Sequence, residues 1–282
     1  MISRRKFLQT TAFSALLAPV ALNSIASCKR EQKLTKFGYI SGIIGKELEA
    51  DWKSALRRTV DMGYTEFEGE VDGVSPADFI SFCREIGLIP VAGGVGFNAP
   101  DDDTLRRLDI LKEQNMEYAV SYWPWLTGGP FSADDCKRSA DILNHLGELC
   151  KQKEIKLCWH NHDKEFIANE QGGLPFDFLM NHTDPSLVKC EMDIYWVKKG
   201  GGDPLQVLKK YPGRISILHV KDMAAGEAMD FECPGSGIID FAVIFDEAVN
   251  QGIEHFMVER DNVQDGMACL KSAAAYLKEI VL

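Results

Sequence analysis

Apolar positions recur along the chain in two alternating rhythms. Short runs with strand character are followed by stretches in which apolar residues return every third or fourth position, as one face of a helix requires. The first run is Phe37 to Ser41. Leu48, Trp52, Leu56 and Val60 then mark a helix face that Gly63 ends. Tyr64 to Glu70 reads as a strand, and Pro76 opens a helix carrying Phe79, Phe82 and Cys83. Leu88 to Val95 and Tyr118 to Tyr122 read as strands. Asp101 to Gln114 and Ala133 to Gln152 read as helices.

The second half keeps the same alternation. Strands are predicted at Ile155 to His160, Leu187 to Asp193, Ile215 to Val220 and His255 to Glu259. Helices are predicted at Leu174 to Asn181, Pro204 to Lys210, Phe241 to Asn250 and Gly266 to Ile280. Eight strand–helix pairs without a long linker imply a parallel sheet. At this length they favour a single closed (β/α)8 TIM barrel over 37–282. No glycine-rich phosphate fingerprint follows the first strand, which argues against a dinucleotide fold.

The start of the chain stands outside this alternation. Ser3-Arg4-Arg5-Lys6-Phe7-Leu8 resembles a twin-arginine export signal, and an apolar run from Phe13 to Leu22 follows. That run is shorter than the ~20 apolar residues a spanning helix needs. Ile25-Ala26-Ser27-Cys28 resembles a lipobox, with lipidation expected on Cys28. Residues 1–27 are therefore read as a signal peptide and 28–36 as a tether. The expected location is the periplasm or cell envelope, with membrane contact only through the lipid anchor.

Charge changes the choice of partner. Of the 31 basic side chains three lie in the signal, so its removal leaves 28 against 42 acidic ones, a net charge of −14. Such a surface repels phosphate backbones, so no nucleic-acid partner is expected. The seven cysteines after Cys28 are odd in number and form no CxxC pair. They are read as buried, reduced thiols rather than a disulfide framework.

In such a barrel, chemistry gathers at the carboxyl ends of the strands. Strand side chains alternate between faces, so His160, Asp193, His219 and Glu259 can all point into one mouth. Two imidazoles and two carboxylates suit a divalent metal. A catalytic ion needs spare coordination positions, and Mn²⁺ is favoured over Co²⁺, Zn²⁺ or Mg²⁺. Any one of these residues alone reads more simply as a structural hydrogen-bonding group or helix cap.

Several phrases together resemble the xylose isomerase-like superfamily of sugar phosphate isomerases and epimerases. They are Gly63-Tyr64-x-x-Phe67-Glu68, His160-Asn161-His162-Asp163-x-Glu165-Phe166, Asp193-x-x-Trp196, Gly202-Asp203-Pro204 and Arg214-x-x-x-Leu218-His219-Val220-Lys221-Asp222. Pro234-Gly235-x-Gly237-x-x-Asp240 and Val258-Glu259 complete the set. The resemblance implies metal ligation by Asp193, His219 and Glu259. It also exposes a departure, because the epimerases carry Glu where His160 stands. The His-Asn-His variant looks closer to inosose dehydratase-like and keto-sugar-processing branches.

The implied activity is that of a sugar isomerase or epimerase, moving a proton next to a carbonyl through a metal-stabilised enediolate. A keto-sugar dehydratase or lyase, or a 3-keto-glycoside-processing enzyme, is the alternative on the same site. A barrel that binds sugar without turnover is the alternative of another class. Glu259, His162 and Lys221 are the candidate proton-transfer residues. Lys221 would act as acid or base if burial lowers its pKa. Glu68, His162, Lys221 and Trp123 are candidate contacts to the sugar or keto-sugar, although apolar cover is the simpler role for Trp123-Pro124-Trp125. Glu165 is a candidate replacement for His160 as ligand. Pairing into a homodimer is also expected.

Overall fold

Eight short parallel strands close on themselves in the computed structural model, which describes residues 33–282. The signal and Cys28 lie outside the described residues. The barrel strands are β1 (Gly38–Ile40), β2 (Glu66–Glu68), β3 (Ile89–Gly94), β4 (Tyr118–Ser121), β5 (Lys156–His160), β6 (Val188–Asp193) and β7 (Ile215–Val220). A small antiparallel hairpin, β8 (Asp222–Met223) and β9 (Phe231–Glu232), interrupts the series before β10 (His255–Val258) closes the barrel between β7 and β1. This is the expected (β/α)8 barrel.

Around it run α1 (Gly45–Asp61), α2 (Pro76–Ile86), α3 (Asp101–Glu113), α4 (Ala133–Gln152), α5 (Pro175–His182), α6 (Ile194–Lys199), α7 (Pro204–Lys210), α8 (Phe241–Asn250) and α9 (Gly266–Leu277). Local chemistry sets several starts. Ser75 accepts from the Asp78 amide at 3.1 Å with Pro76 behind it, and Ser132 forms a reciprocal capping box with Asp135. None of the helices among the described residues is long and apolar enough to cross a membrane.

Two elements escaped the apolar pattern. Helix α6 follows β6 without a loop and has six residues, too few to show a period. The hairpin β8–β9 is organised instead by one carboxylate. Asp222 accepts from the amides of Met223, Gly235, Gly237 and Ile239 at 2.8–3.1 Å. Of the stretch read as a tether, residues 33–36 pack on the base of the barrel. Lys33 bridges Val281, and Lys36 Nζ lies 2.8 Å from Glu66 Oε1.

The cysteine reading needs one correction. Cys233, just after β9, is bonded to Cys269 on α9, with Cα atoms 5.6 Å apart. Thirty-six residues separate them, so no local pattern marks the pair. Cys83, Cys136, Cys150, Cys158 and Cys190 are free and buried as expected.

The barrel interior has polar ends and an apolar middle. Val91, Val120, Cys158, Ile217 and Met257 form a cluster there. Strand alternation carries the next inward residues to either end. On β2, Glu66 falls at the base and Glu68 at the mouth, and both are fully buried.

Candidate metal centre

The strand ends β5, β6, β7 and β10 bring His160, Asp193, His219 and Glu259 together, with one ligand atom from each within 4.8 Å of all the others. All four sequence-derived metal candidates therefore meet at one mouth. The parity argument works because neighbouring strands run in matched register, with His160 beside Glu191 and Asp193 beside His219.

A second layer of carboxylates lies on the other side of the imidazoles. Glu191 Oε1 is 2.9 Å from His160 Nδ1 and 3.1 Å from His219 Nε2. Glu68 Oε1 is 3.1 Å from the same His219 nitrogen and accepts from the Tyr122 hydroxyl at 2.7 Å. Protons on these inner nitrogens would leave His160 Nε2 and His219 Nδ1 as the lone pairs available to an ion, which would displace the proton that His219 shares with Glu259. Those atoms face the outer carboxylates. His219 Nδ1 lies 3.0 Å from Glu259 Oε2, and His160 Nε2 lies 3.9 Å from Asp193 Oδ2. A buried carboxylate that fixes an imidazole's tautomer is a common support for metal ligation.

Asp193 has two separate jobs. Its Oδ1 accepts from the Trp196 amide at 2.8 Å and caps α6. Its Oδ2 has no hydrogen-bonded partner, although the Lys221 ammonium is 3.0 Å away. The backbone of Asp193 is held by Asn161, whose Oδ1 accepts from its amide at 3.0 Å. A buried carboxylate oxygen held only by ion pairs, amid two imidazoles and a second carboxylate, fits a divalent cation.

Lys221 is fully buried. Its Nζ lies 3.0 Å from Asp193 Oδ2, 2.8 Å from Glu259 Oε2 and 2.7 Å from Asp261 Oδ2. The rings of Trp196, Phe231 and Tyr195 surround it at 5.0, 5.6 and 5.7 Å. Burial works to lower its pKa, but Asp193, Glu259 and Asp261 outweigh burial and raise it. The expectation of a lysine turned into a base by burial is therefore corrected. It is a fixed ammonium, a donor of hydrogen bonds rather than a general base.

His162 is different. It is half-buried, its ring 5.0 Å from those of Trp123 and His160 and 5.4 Å from that of Trp196. Its Nδ1 has no partner, and burial followed by the Lys221 charge lowers its pKa to about 4. Burial also pulls His160 well down, helped by the neighbouring His219 and His162. Burial pushes Glu259 up, but the Lys221 and His219 charges outweigh it and hold its carboxylate ionised.

Glu165 does not join the ligands. Its Oε1 accepts from Trp125 Nε1 at 2.8 Å and its Oε2 from the His162 amide at 3.2 Å. Trp125 itself is buried and stacked on Phe131, with centroids 3.7 Å apart. Trp123 is 36% exposed beside His162, while Trp125 supplies the apolar cover. Glu191, Asn161 and Tyr122 are the cluster members that the sequence reading did not single out. Glu191 shares strand parity with Asp193, and Tyr122 shares it with Val120, so the signal was present.

Residues 56–280 match the family described as xylose isomerase-like TIM barrel. An inosose dehydratase of Clostridium tetani is 31% identical over 144 residues, which cover 45% of this chain and 47% of that protein. The chain thus spans about half the length of the curated relatives it matches. A sugar phosphate isomerase/epimerase of Parabacteroides distasonis superposes with a TM-score of 0.75 at 24% identity, covering 92% of this chain and 97% of that one. The IOLI protein with a bound zinc atom superposes at 0.67 with 18% identity, covering 87% and 96%.

Proposed function

The chain belongs to the xylose isomerase-like TIM barrel family, and on that premise we propose that it is a divalent-metal-dependent enzyme acting on a sugar or keto-sugar by removing a proton next to a carbonyl. One observation carries this reading: two imidazoles and two carboxylates converge at one mouth, over buried glutamates that orient the imidazoles. His160, Asp193, His219 and Glu259 would hold the ion. When bound, a divalent ion there would polarise the carbonyl and hydroxyl oxygens of a hydroxy-ketone and acidify the C–H of the hydroxyl-bearing carbon next to the carbonyl. The zinc of the IOLI protein supports a divalent ion, and Mn²⁺ remains our preferred one because it takes six ligands readily.

The residues divide the remaining work. His162 offers an unpartnered imidazole nitrogen between two indoles and is the lead base. Lys221 is the cation that donates to a substrate oxygen as negative charge develops. Glu259 is a further proton-transfer candidate, and Glu68 with Tyr122 presents a hydroxyl-binding edge. Trp123 offers a ring face beside His162.

Elimination of the β-oxygen, as in a dehydratase or lyase, fits these groups better than epimerisation. Epimerisation by paired glutamates needs a carboxylate on the fifth strand, where His160 stands, and Glu165 is tied to Trp125. The inosose dehydratases among the relatives point the same way. Isomerisation or epimerisation is the second reading, supported by the isomerase/epimerase neighbour in fold. The twin-arginine and lipobox phrases support a cell-envelope location and unphosphorylated substrates.

The test is a panel of keto-sugars with added Mn²⁺, Co²⁺ or Mg²⁺, followed by NMR for exchange of substrate protons with solvent deuterium. Exchange that disappears in His162→Ala and on chelation is expected. A protein that binds no divalent ion, or a His162→Ala variant that exchanges like the parent, would sink the reading.

A further inference from the structure

Two adjoining cavities open beside the metal centre on the β1 side of the mouth. The first, about 320 Å³, reaches Glu259 and Asp261. The second, about 430 Å³, reaches Tyr122 and is walled by Ser41, Glu49, Glu70 and Asp72. Ile40 and Gly42 line both. The two therefore form one groove that touches the cluster twice, at Glu259 and through the Tyr122–Glu68 hydrogen bond. Each cavity alone lies within the ~300–1,000 Å³ range of small-molecule sites.

We propose that the outer cavity is a subsite for a second sugar ring, so that the substrate is an uncharged disaccharide or glycoside with a carbonyl on one ring rather than a single sugar. This rests on the sugar reading given above. The wall chemistry is that of polyol recognition. Carboxylates and a hydroxyl accept and donate to ring hydroxyls. Glycines 42 and 45 leave open space where a Cβ would project, so a ring can lie against the backbone there. Phosphate is disfavoured. The outer cavity has no lysine or arginine in its lining, and Arg107, which reaches its wall, is held by the Glu70 carboxylate and the Gly94 carbonyl, each at 2.8 Å, leaving Glu49, Asp72 and Ser41 for a ring. The inner one has only Arg260, which is engaged by Glu232 at 3.3 Å and by the Phe231 carbonyl at 3.2 Å.

Gly45 provides a clean test. It lines the outer cavity alone, has helical φ −53° and ψ −41°, and would meet nothing within 4 Å on gaining a Cβ. Gly45→Leu therefore adds a branched side chain to the wall of the subsite without backbone strain. Calorimetry on the Mn²⁺-loaded protein would compare cellobiose, maltose, trehalose and sucrose with methyl α- and β-glucoside and glucose 6-phosphate. At least one disaccharide should bind tenfold or more tighter than either methyl glucoside. Gly45→Leu should erase that ratio, and Asp72→Ala should reduce it. The subsite is overturned if no disaccharide gains tenfold, if glucose 6-phosphate binds tightest, or if Gly45→Leu leaves the ratio intact. The keto-sugar exchange assay separates the failures. Exchange without a two-ring advantage removes the subsite alone, and loss of both removes the sugar reading with it.

Discussion

At the base of the barrel His255 Nδ1 lies 3.0 Å from Glu66 Oε1, and Lys36 brings its ammonium to 2.8 Å from the same oxygen. At the mouth His219 meets Glu68 and Glu191 through one nitrogen and Glu259 through the other. The two ends look alike at the level of a single pair. Both even keep a buried carboxylate oxygen without a hydrogen-bond partner, Glu66 Oε2 below and Asp193 Oδ2 above. An orphaned oxygen therefore does not mark a site by itself. The balance of charge does. The base sets one buried carboxylate against a lysine and an imidazole. The mouth crowds Glu68, Glu191, Asp193 and Glu259 around two imidazoles and one ammonium, and burial raises Glu191 and Asp193 above the usual carboxylate range, a strain that a divalent cation would relieve.

The largest expected effect breaks the mouth. Asp193→Ala should abolish tight metal binding and lower turnover at least ~10³-fold, ~4 kcal/mol of barrel-mouth chemistry. Metal titration and the exchange assay check it, and an unchanged metal affinity would reduce the mouth to another structural cluster.

Glu165 provides the next contrast, a buried acid at the mouth that stands outside the cluster. Burial raises its pKa from the usual 4.5 to about 7. Below pH 4.5 both folded and unfolded chains hold this proton. Between 4.5 and 7 only the folded chain keeps it, and above 7 neither does. The folded chain therefore loses stability across that window, by about 3 kcal/mol from this group. Urea midpoints at pH 4.5 and 7.5 should fall less for Glu165→Gln than for the parent. Equal falls would show that Glu165 is not the group being titrated.

Glu191→Gln sharpens the comparison from within the centre. It keeps the shape and one acceptor oxygen but removes the carboxylate charge shared by His160 and His219, and should weaken metal affinity ~10–100-fold, ~2 kcal/mol. Competition with a chromogenic chelator measures it. The smallest effect is at the base. Glu66→Gln should cost ~1.5 kcal/mol of stability by weakening a charge-assisted buried pair, with metal affinity as in the parent. A base variant that alters metal binding would mean the two ends are coupled through the apolar layer.

Much of this was legible in the residues. The β/α alternation, the inward parity of His160, Asp193, His219 and Glu259, and the absence of a phosphate loop are local properties, written in periods of 2 and 3.6 residues that neighbours in sequence set. Glu191 was legible on the same grounds, two residues before Asp193. What the alternation could not decide depends on groups far apart in the chain. The charge of Lys221 follows from Asp193, Glu259 and Asp261, delivered by the ends of two different strands, β6 and β10. Glu165 is withdrawn because Trp125 reaches it from forty residues away. Cys233 finds Cys269 only because β9 and α9 meet. The groove beside the metal centre exists only where β1, β2 and β10 close the barrel. Side-chain direction is a local matter, whereas charge state, pairing and cavities depend on which distant groups closure brings within a few ångströms.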